Sequence, residues 1–284
     1  MINNYVLESL KQNNVNDALS FENVLRELAQ KIILYALSRT SFFKKAAFYG
    51  GTCLRIFHNL QRFSEDLDFA ITDESEEFSW DDYMTICVRT LESYGLSVEI
   101  GSKLEYDEGE VRRRYIKIPC YEIAKEYFGR ELFHKDKKLS IKMKVSTWYI
   151  PGAKYSLETL TSPMITNILC HDRATLFAGK ICAVMNRAWN GRLKGRDFYD
   201  YISYITLGVK YNSEYLKNKC ARSLEINANE VTDEWIRQRL LERFESLDYK
   251  QLNEDIMPFV DANDLIGEIN KDMLASTLKV LSHN

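Results

Sequence analysis

The sequence predicts an α+β protein in which a domain built on a small mixed sheet precedes a helical bundle. Short stretches of alternating apolar and polar residues, typical of half-buried strands, lie in the first half of the chain, whereas apolar residues recur at helical spacing from Met164 onward. The turn-forming pairs Pro151-Gly152 and Ser162-Pro163 separate the two patterns. We therefore predict one domain over residues 1–160, including an N-terminal helix, and a second over residues 161–284.

Composition narrows the class of protein. A chain of 284 residues with 45% hydrophobic and 28% charged residues can bury a core as an ordinary globular protein does. Because the net charge is −3, any binding of RNA must depend on local basic patches. Six scattered cysteines, no signal peptide and no apolar run of membrane-spanning length favour the reducing cytoplasm and no membrane association.

The periodicities place the elements in order. In the first domain they predict helices over residues 16–38, 53–60 and 80–93 and strands over residues 46–49, 66–71, 96–105, 111–119 and 139–149. In the second they predict helices over residues 172–187, 195–205, 212–221, 230–244 and 263–281.

The stretch from residue 46 to residue 60 has the chemistry of a phosphate site. Gly50 and Gly51 can adopt backbone conformations that other residues avoid, and they allow a ligand to approach the main chain. Thr52 can cap the helix that follows, and the start of a helix attracts anions through its free N–H groups and its dipole. We therefore expect these three residues to hold the oxygens of a triphosphate.

The next strand carries two acids. Asp66 and Asp68 alternate with apolar residues, so both carboxylates point to the same side of the strand, away from the core. Two carboxylates so close together repel each other unless a cation lies between them, and Mg²⁺ is the cation that commonly bridges carboxylates and substrate phosphates. We predict that Asp66 and Asp68 bind Mg²⁺, the alternative being two solvated acids.

Three polar residues flank these stretches. Ser64 could bind a phosphate or cap the turn before the acids. Arg55 and Arg62 could each pair with phosphate or with Glu65, and we expect at least one of them to be structural.

These residues together resemble a known signature. Gly50-Gly51-Thr52 followed by Asp66-x-Asp68 resembles the polymerase-β-like nucleotidyltransferase superfamily. The fuller string, Gly-Gly-Thr-x-Leu-Arg and then Arg-x-Ser-Glu-Asp-Leu-Asp-Phe, is similar to the AbiEii-type toxins of bacterial abortive-infection and type IV toxin–antitoxin systems. That family has a later helical block, Lys, Arg and Arg-Asp-x-x-Asp, which Lys180, Arg187 and the stretch from Arg196 through Asp197 to Asp200 match in order.

The resemblance implies a fold and an activity. It implies a polymerase-β-like domain with a helical bundle that contributes to the nucleotide cleft. The protein would bind a nucleoside triphosphate with Mg²⁺ and transfer a nucleotidyl group, with release of pyrophosphate. Relatives point to tRNA 3′ ends as the acceptor, to GTP or CTP as the donor and to a cognate antitoxin as a partner.

The resemblance also suggests roles for the helical block. It implies that Lys180 contacts phosphate and that Asp197 or Asp200 is a general base or a group that orients Lys180. Arg187, seven residues after Lys180, would share its helix face and is counted among the nucleotide-binding residues, and Arg196 and Asp200 are spaced to pair. The alternative is a salt-bridged pair of helices.

One strand departs from the superfamily pattern. A third carboxylate often lies on a strand such as residues 139–149, but here the polar face carries Lys142 and Lys144. Either this strand is misaligned or the third acid is absent. Lys144 could bind a triphosphate or an RNA backbone, could form part of a solvated face, or could act as a base if burial lowered its pKa. The alternative functions are a catalytically silent nucleotide-binding regulator and a transferase that modifies a protein or a small molecule.

Overall fold

The computed structural model describes residues 4–75, 77–101, 109–186, 194–260 and 267–284. The chain forms two compact units. Unit 1 comprises Met1–Phe57, Phe63–Tyr149 and Leu157–Cys170, and unit 2 comprises His58–Arg62, Ile150–Ser156 and His171–Asn284. The fold is a mixed α+β arrangement, as the sequence predicts.

The elements alternate in the first half and are helical in the second. They begin with α1 (Asn4–Gln12), α2 (Ala18–Ser38), α3 (Phe42–Lys45), β1 (Ala46–Tyr49), α4 (Gly51–Phe57), β2 (Asp66–Ile71), α5 (Asp81–Ser93), β3 (Glu99–Ile100), β4 (Val111–Pro119), α6 (Tyr121–Phe128), β5 (Lys138–Ser146), β6 (Tyr155–Leu160) and β7 (Thr166–His171). They continue with α7 (Arg173–Asn186), α8 (Gly195–Thr206), α9 (Ser213–Leu224), α10 (Asp233–Glu245), α11 (Tyr249–Ile256) and α12 (Lys271–Thr277).

The strands form one mixed sheet in the order β3-β4-β5-β2-β1-β7-β6. β2 pairs antiparallel with β1 and parallel with β5, while β4 is antiparallel to β5 and β7 is parallel to β1. The acid-bearing strand β2 therefore lies in the middle of the sheet, where strands on both sides fix its register.

Apolar side chains on the inner side of the sheet form the core of unit 1. The long helix α2 begins at a capping box, in which Asp17 and Ser20 bond each other's backbone N–H groups, and α2 buries one side in this core. Phe42 contacts Phe69 of β2 and stacks on Trp80, whose indole N–H donates to the carbonyl of Arg112 at 2.9 Å. This aromatic cluster holds the inner face of β2, so the outer face can carry polar groups.

Unit 2 is mainly a bundle in which α7 packs against α8, α9 and α10. Asn212 links two parts of this unit: its side-chain oxygen accepts from the N–H of Tyr215 to cap α9, and its amide donates to the carbonyl of Gly152 at 2.8 Å. Tyr199, Tyr201 and Tyr204 are buried, so these residues belong to the core.

Most predicted elements are confirmed, but the prediction that the chain is helical from Met164 onward is wrong. Thr166–His171 is strand β7, which lies beside β1 with Ile168 and Cys170 buried. Such a short apolar run is ambiguous, since only its pairing partner distinguishes a strand from the first turn of a helix. Strand β6, together with helices α1, α3, α6 and α11, was not predicted from the sequence.

Two predicted elements are shorter than expected. Of the strand predicted over residues 96–105, only Glu99–Ile100 is a strand, and residues 102–108 lie outside the described residues. Of the helix predicted over residues 263–281, Lys271–Thr277 is helical, and residues 261–266 also lie outside them. No helix among the residues described combines the length and the apolar character that crossing a membrane requires.

His171 should make the stability of unit 2 depend on pH. Its side chain is buried between the rings of Tyr155 and Tyr215, and burial followed by repulsion from Lys219 lowers its pKa to about 3. The unfolded chain, with a histidine pKa near 6.5, then binds more protons than the folded chain between about pH 6.5 and pH 3. Stability from this group is therefore lost as the pH falls through that window.

We expect the wild type to lose about 2 kcal/mol of unfolding free energy between pH 7.5 and pH 5 through His171. Urea denaturation at several pH values would measure it, with His171→Phe as the comparison that lacks the titrating group. Parallel pH profiles of the two proteins would show that His171 does not contribute.

Candidate active site

The acids of β2 lie where the sequence predicts, on the outer face of the sheet. Leu67 and Phe69 are buried, whereas Asp66 and Asp68 are partly exposed, with 36% and 24% of their side-chain surface accessible. Their position in the middle of the sheet gives both carboxylates a fixed backbone while leaving them open to solvent. The pair is therefore accessible to a dissolved cation.

Lys144 is the residue that balances these two charges. Parallel pairing of β2 with β5 places Lys144 beside Asp68 in register. The Lys144 Nζ lies 2.5 Å from Asp66 Oδ2 and 3.1 Å from Asp68 Oδ1, so one ammonium group bridges both carboxylates. Burial lowers the pKa of Lys144, but attraction to Asp68 and Asp66 outweighs burial and keeps its pKa above the ordinary value. A lysine in this state is protonated, so the general-base role considered from the sequence is not supported.

The same strand pairing answers the question of the third acid. The strand predicted over residues 139–149 is β5, the direct neighbour of β2. The residue beside Asp66 is Lys142 and the residue beside Asp68 is Lys144. Within the described parts of the chain, no three His, Cys, Asp or Glu side chains cluster as metal ligands.

The glycine turn packs directly against the carboxylates. Gly50 has φ +87°, a left-handed conformation that favours glycine, and a Cβ at this position would lie 2.9 Å from Asp68 Oδ2. A side chain at position 50 would therefore clash with Asp68. Gly51 is the first residue of α4. The turn thus brings the main chain within contact distance of the acid pair.

The predicted role of Thr52 as a helix cap is wrong. The helix over residues 53–60 is α4, which begins at Gly51 and ends at Phe57, so Thr52 lies inside it. The Thr52 side chain is buried, and its hydroxyl donates to the main-chain carbonyl of Asp66. Thr52 therefore joins α4 to the start of β2. Sequence periodicity could not detect this contact, because the two residues are 14 positions apart.

Of the polar residues that flank the turn, Arg55 is structural. Its Nε donates to Glu27 Oε2 on α2 at 2.8 Å, and its guanidinium lies over the ring of Phe63. Arg55 was predicted to contact nucleotide, and this ion pair gives it a partner within the protein. Although burial raises the pKa of Glu27, attraction to Lys31 and Arg55 outweighs burial and lowers it overall.

Gln30 is a structural residue that the sequence analysis missed. Its side-chain amide donates to the carbonyls of Ser64 and Glu65 at 3.1 and 3.0 Å, which positions the chain just before Asp66. The available signal was a polar residue on the apolar side of the helix predicted over residues 16–38. Ser64 thus enters this arrangement through its backbone, and its predicted phosphate contact stays a prediction.

A divalent cation fits the donors of the acid pair. Mg²⁺ in phosphoryl-transfer sites is commonly held by one or two carboxylates together with substrate phosphates. Asp66 and Asp68 supply two carboxylates on one face, with partial exposure and backbone positions fixed by the sheet. Their oxygens already hold a cation, the ammonium of Lys144, which shows that the pair accommodates positive charge between its members.

Unit 2 contains a second cluster of charges. The buried side chains of Arg62 and Asp200 form a two-point ion pair, with Nε to Oδ1 and Nη2 to Oδ2 both at 2.6 Å. Lys180 on α7 lies 2.6 Å from Asp197 Oδ1 and 2.8 Å from Asp200 Oδ2, both on α8. These two cations and two anions thus form one largely buried network, which we call the ion-pair cluster.

The ion-pair cluster corrects the predicted pairing of Arg196 with Asp200. Arg196 instead places its guanidinium over the ring of Phe259, and Asp200 bonds Arg62 and Lys180. Burial lowers the pKa of Arg62, but the attraction of Asp200 outweighs burial and raises it overall. Since both oxygens of Asp200 accept from cations, its geometry suits a residue that orients Lys180. Arg187 lies outside the described residues.

Breaking the buried ion pair should destabilise the protein. Asp200→Asn leaves the Arg62 guanidinium without its buried carboxylate, whereas Lys180 keeps Asp197, and such a loss typically costs about 3–5 kcal/mol. The control is Lys138→Met, which removes a pair with Glu99 in which both side chains are largely exposed, and an exposed pair contributes about 1 kcal/mol or less. Urea denaturation of the three proteins would measure both effects. Equal losses for the two variants would contradict a special role of burial.

The chain resembles known proteins both in sequence and in fold. Residues 32–271 match the sequence profile of a family described as "Nucleotidyl transferase AbiEii toxin, Type IV TA system". Among solved structures, MenT4, a nucleotidyltransferase toxin from Mycobacterium tuberculosis H37Rv, aligns with a TM-score of 0.56 at 13% identity, over 96% of this chain and 88% of that one. JHP933 from Helicobacter pylori aligns with a TM-score of 0.48 at 16% identity, over 99% and 93%. No curated protein sequence matches the chain.

The family match covers most of the chain, including the glycine turn, both acids of β2 and the ion-pair cluster. The likeness to MenT4 supports the same fold. The chain therefore belongs to the AbiEii nucleotidyltransferase toxins of type IV toxin–antitoxin systems, and it is a nucleotidyltransferase.

Proposed function

We propose that this nucleotidyltransferase binds a nucleoside triphosphate with Mg²⁺ and transfers a nucleotidyl group to tRNA, with release of pyrophosphate. The observation that carries the proposal is the pair of accessible carboxylates on β2, with Gly50 packed against Asp68. An acid pair beside a glycine turn can receive a cation and a polyphosphate together, because the main chain leaves room for both.

In this proposal Asp66 and Asp68 hold the cation. When bound, Mg²⁺ would neutralise the charge on the triphosphate and favour in-line attack by an acceptor hydroxyl. The backbone around Gly50, Gly51 and Thr52 would lie along the triphosphate oxygens. Because Asp68 packs against Gly50, a nucleotide on the turn would have its phosphates next to the acid pair.

The residues of the ion-pair cluster have proposed roles of their own. Lys180 would contact phosphate, with Asp197 and Asp200 orienting its ammonium group through the two bonds described above. Asp197 stays a candidate general base. This role requires that Asp197 reach the proton of the acceptor hydroxyl. Arg187, Arg55 and Ser64 stay predicted contacts, with the ion pair of Arg55 to Glu27 as a structural role already in place.

Donor, acceptor and partner are proposed from the family resemblance. GTP or CTP would be the donor and the tRNA 3′ end the acceptor, which would make the protein toxic by removing tRNA from translation. As a type IV toxin the protein would be opposed by a cognate antitoxin, and it would act in the cytoplasm.

A transfer assay tests the activity and the acids together. We expect label from one α-labelled triphosphate to enter bulk tRNA in the presence of Mg²⁺. Asp66→Asn and Asp68→Asn should each lower the rate by about a hundredfold or more, because each removes a charge that holds the cation. The control is Asp73→Asn, an exposed acid just after β2 that bonds Ser75 within its own turn, and we expect it to keep full activity.

The assay separates the alternatives by outcome. Full activity in either acid variant would remove the metal role of that acid. Label from a triphosphate that enters protein or a small molecule, while tRNA stays unlabelled, would replace tRNA as the acceptor. Binding of a triphosphate without any transfer would support the catalytically silent alternative.

A further inference from the structure

The ammonium group of Lys144 lies between the carboxylates of Asp66 and Asp68, the two residues proposed above to hold Mg²⁺. Its Nζ contacts one oxygen of each carboxylate, at 2.5 Å and 3.1 Å. We propose that Lys144 is a built-in counterion of the acid pair, which a divalent cation must displace, so that Lys144 sets the affinity of the protein for the metal. This inference rests on the proposed metal role of Asp66 and Asp68.

The carboxylates are the fixed members of this arrangement. Asp68 Oδ2 packs against Gly50, and the main chain of Asp66 is bonded by the Thr52 hydroxyl from α4. Both residues also belong to a strand that is paired on each side. The two acids therefore keep their positions when a cation binds.

Lys144 is the movable member. Lysine carries its charge at the end of a flexible four-carbon stem, and a quarter of this side chain is accessible to solvent. The stem can swing the ammonium group towards water while the backbone of β5 stays in register with β2. Displacement therefore requires a rotamer change and no rearrangement of the sheet.

The balance of charge makes the two cations exclusive at this position. The ammonium group of Lys144 reduces the repulsion between the two carboxylates, so the pair is tolerated without a metal. The three groups together keep a net charge of −1. A divalent cation on the same oxygens would lie within a few ångströms of the ammonium, at a distance where like charges repel strongly. Metal binding therefore includes the cost of breaking two ion pairs.

The neighbouring lysine provides a matched comparison. Lys142 lies on the same strand and the same face, in register with Asp66. Its Nζ lies over the ring of Tyr115, 5.5 Å from the ring centre. The two lysines thus differ in their contacts: Lys144 contacts both carboxylates, whereas Lys142 lies over an aromatic ring.

Direct titration with Mn²⁺, a divalent ion whose free form is measured by electron paramagnetic resonance, tests the proposal without any transfer reaction. We expect Lys144→Met to bind Mn²⁺ on the order of tenfold more tightly than the wild type, the factor that corresponds to losing two competing ion pairs of ordinary surface strength. Lys144→Gln should show the same direction. Lys144→Arg keeps the charge and should stay near the wild-type affinity, as should Lys142→Met.

Thermal unfolding in EDTA provides a second readout and checks folding. Without metal, Lys144→Met should melt below the wild type, since the two carboxylates then repel each other without a counterion. Added Mn²⁺ should raise its melting temperature by more than it raises that of the wild type, because ligand stabilisation increases with affinity. Lys142→Met should show neither change.

The outcomes separate this inference from the proposed function. If the wild type binds Mn²⁺, Asp66→Asn abolishes binding, and both neutral variants at position 144 bind no more tightly than Lys142→Met, the counterion role is overturned while the metal role of the acids stands. If the wild type, Asp66→Asn and Lys144→Met all fail to bind Mn²⁺, both proposals are overturned. Binding that appears only when Lys144 is neutralised supports the counterion role.

Discussion

The repulsion between two neighbouring carboxylates is the constraint on which the candidate active site depends. Asp66 and Asp68 lie two residues apart on one face of β2, and a strand cannot turn either of them away without disturbing the sheet. The pairing of β2 with β5 answers this repulsion, because the parallel register places Lys144 beside Asp68. The sheet that presents the acids therefore also supplies their counterion.

Packing on the inner face of β2 and hydrogen bonds to the chain before it hold this arrangement in position. The aromatic cluster around Phe42, Phe69 and Trp80 packs the inner face of β2, which leaves the outer face for charge. On the chain before the acids, Gln30 bonds the carbonyls of Ser64 and Glu65. The side chains that could act chemically are few, and many more residues serve to hold them in position.

In the ion-pair cluster of unit 2, like charges also need opposite charges beside them, and burial makes this requirement stronger. Its side chains are largely buried, so each charge must be matched inside the protein. Arg62 and Lys180 supply the cations, and Asp197 and Asp200 supply the anions. Each of these buried charges thus contacts an opposite charge, whereas the partly exposed pair on β2 keeps a net negative charge even with Lys144 beside it.

Lysines lie beside Asp66 and Asp68 on β5, where the polymerase-β-like pattern often has a third carboxylate. A lysine in that place changes the local charge by two relative to a carboxylate, so the acid pair is better balanced before any metal binds. A site of two carboxylates also relies more on the phosphates of the substrate to complete the ligands of a cation. In the proposed reaction, cation and triphosphate would then bind best together.

The sequence by itself determined the elements whose patterns are local. The bounds of β1 follow from a short apolar run and those of β2 and β4 from their strand-like patterns. The family follows from the glycine turn and the paired acids, and the exposure of Asp66 and Asp68 follows from period two. Tertiary structure alone decided what joins residues far apart in the chain. Pairing with β1 makes Thr166–His171 a strand. Tertiary contacts also bond the Thr52 hydroxyl to the main-chain carbonyl of Asp66, and they pair Asp200 with Arg62 rather than with Arg196. Periodicity reports which face of an element is buried, but a partner 78 positions away, as Lys144 is from Asp66, is chosen by the register of the sheet.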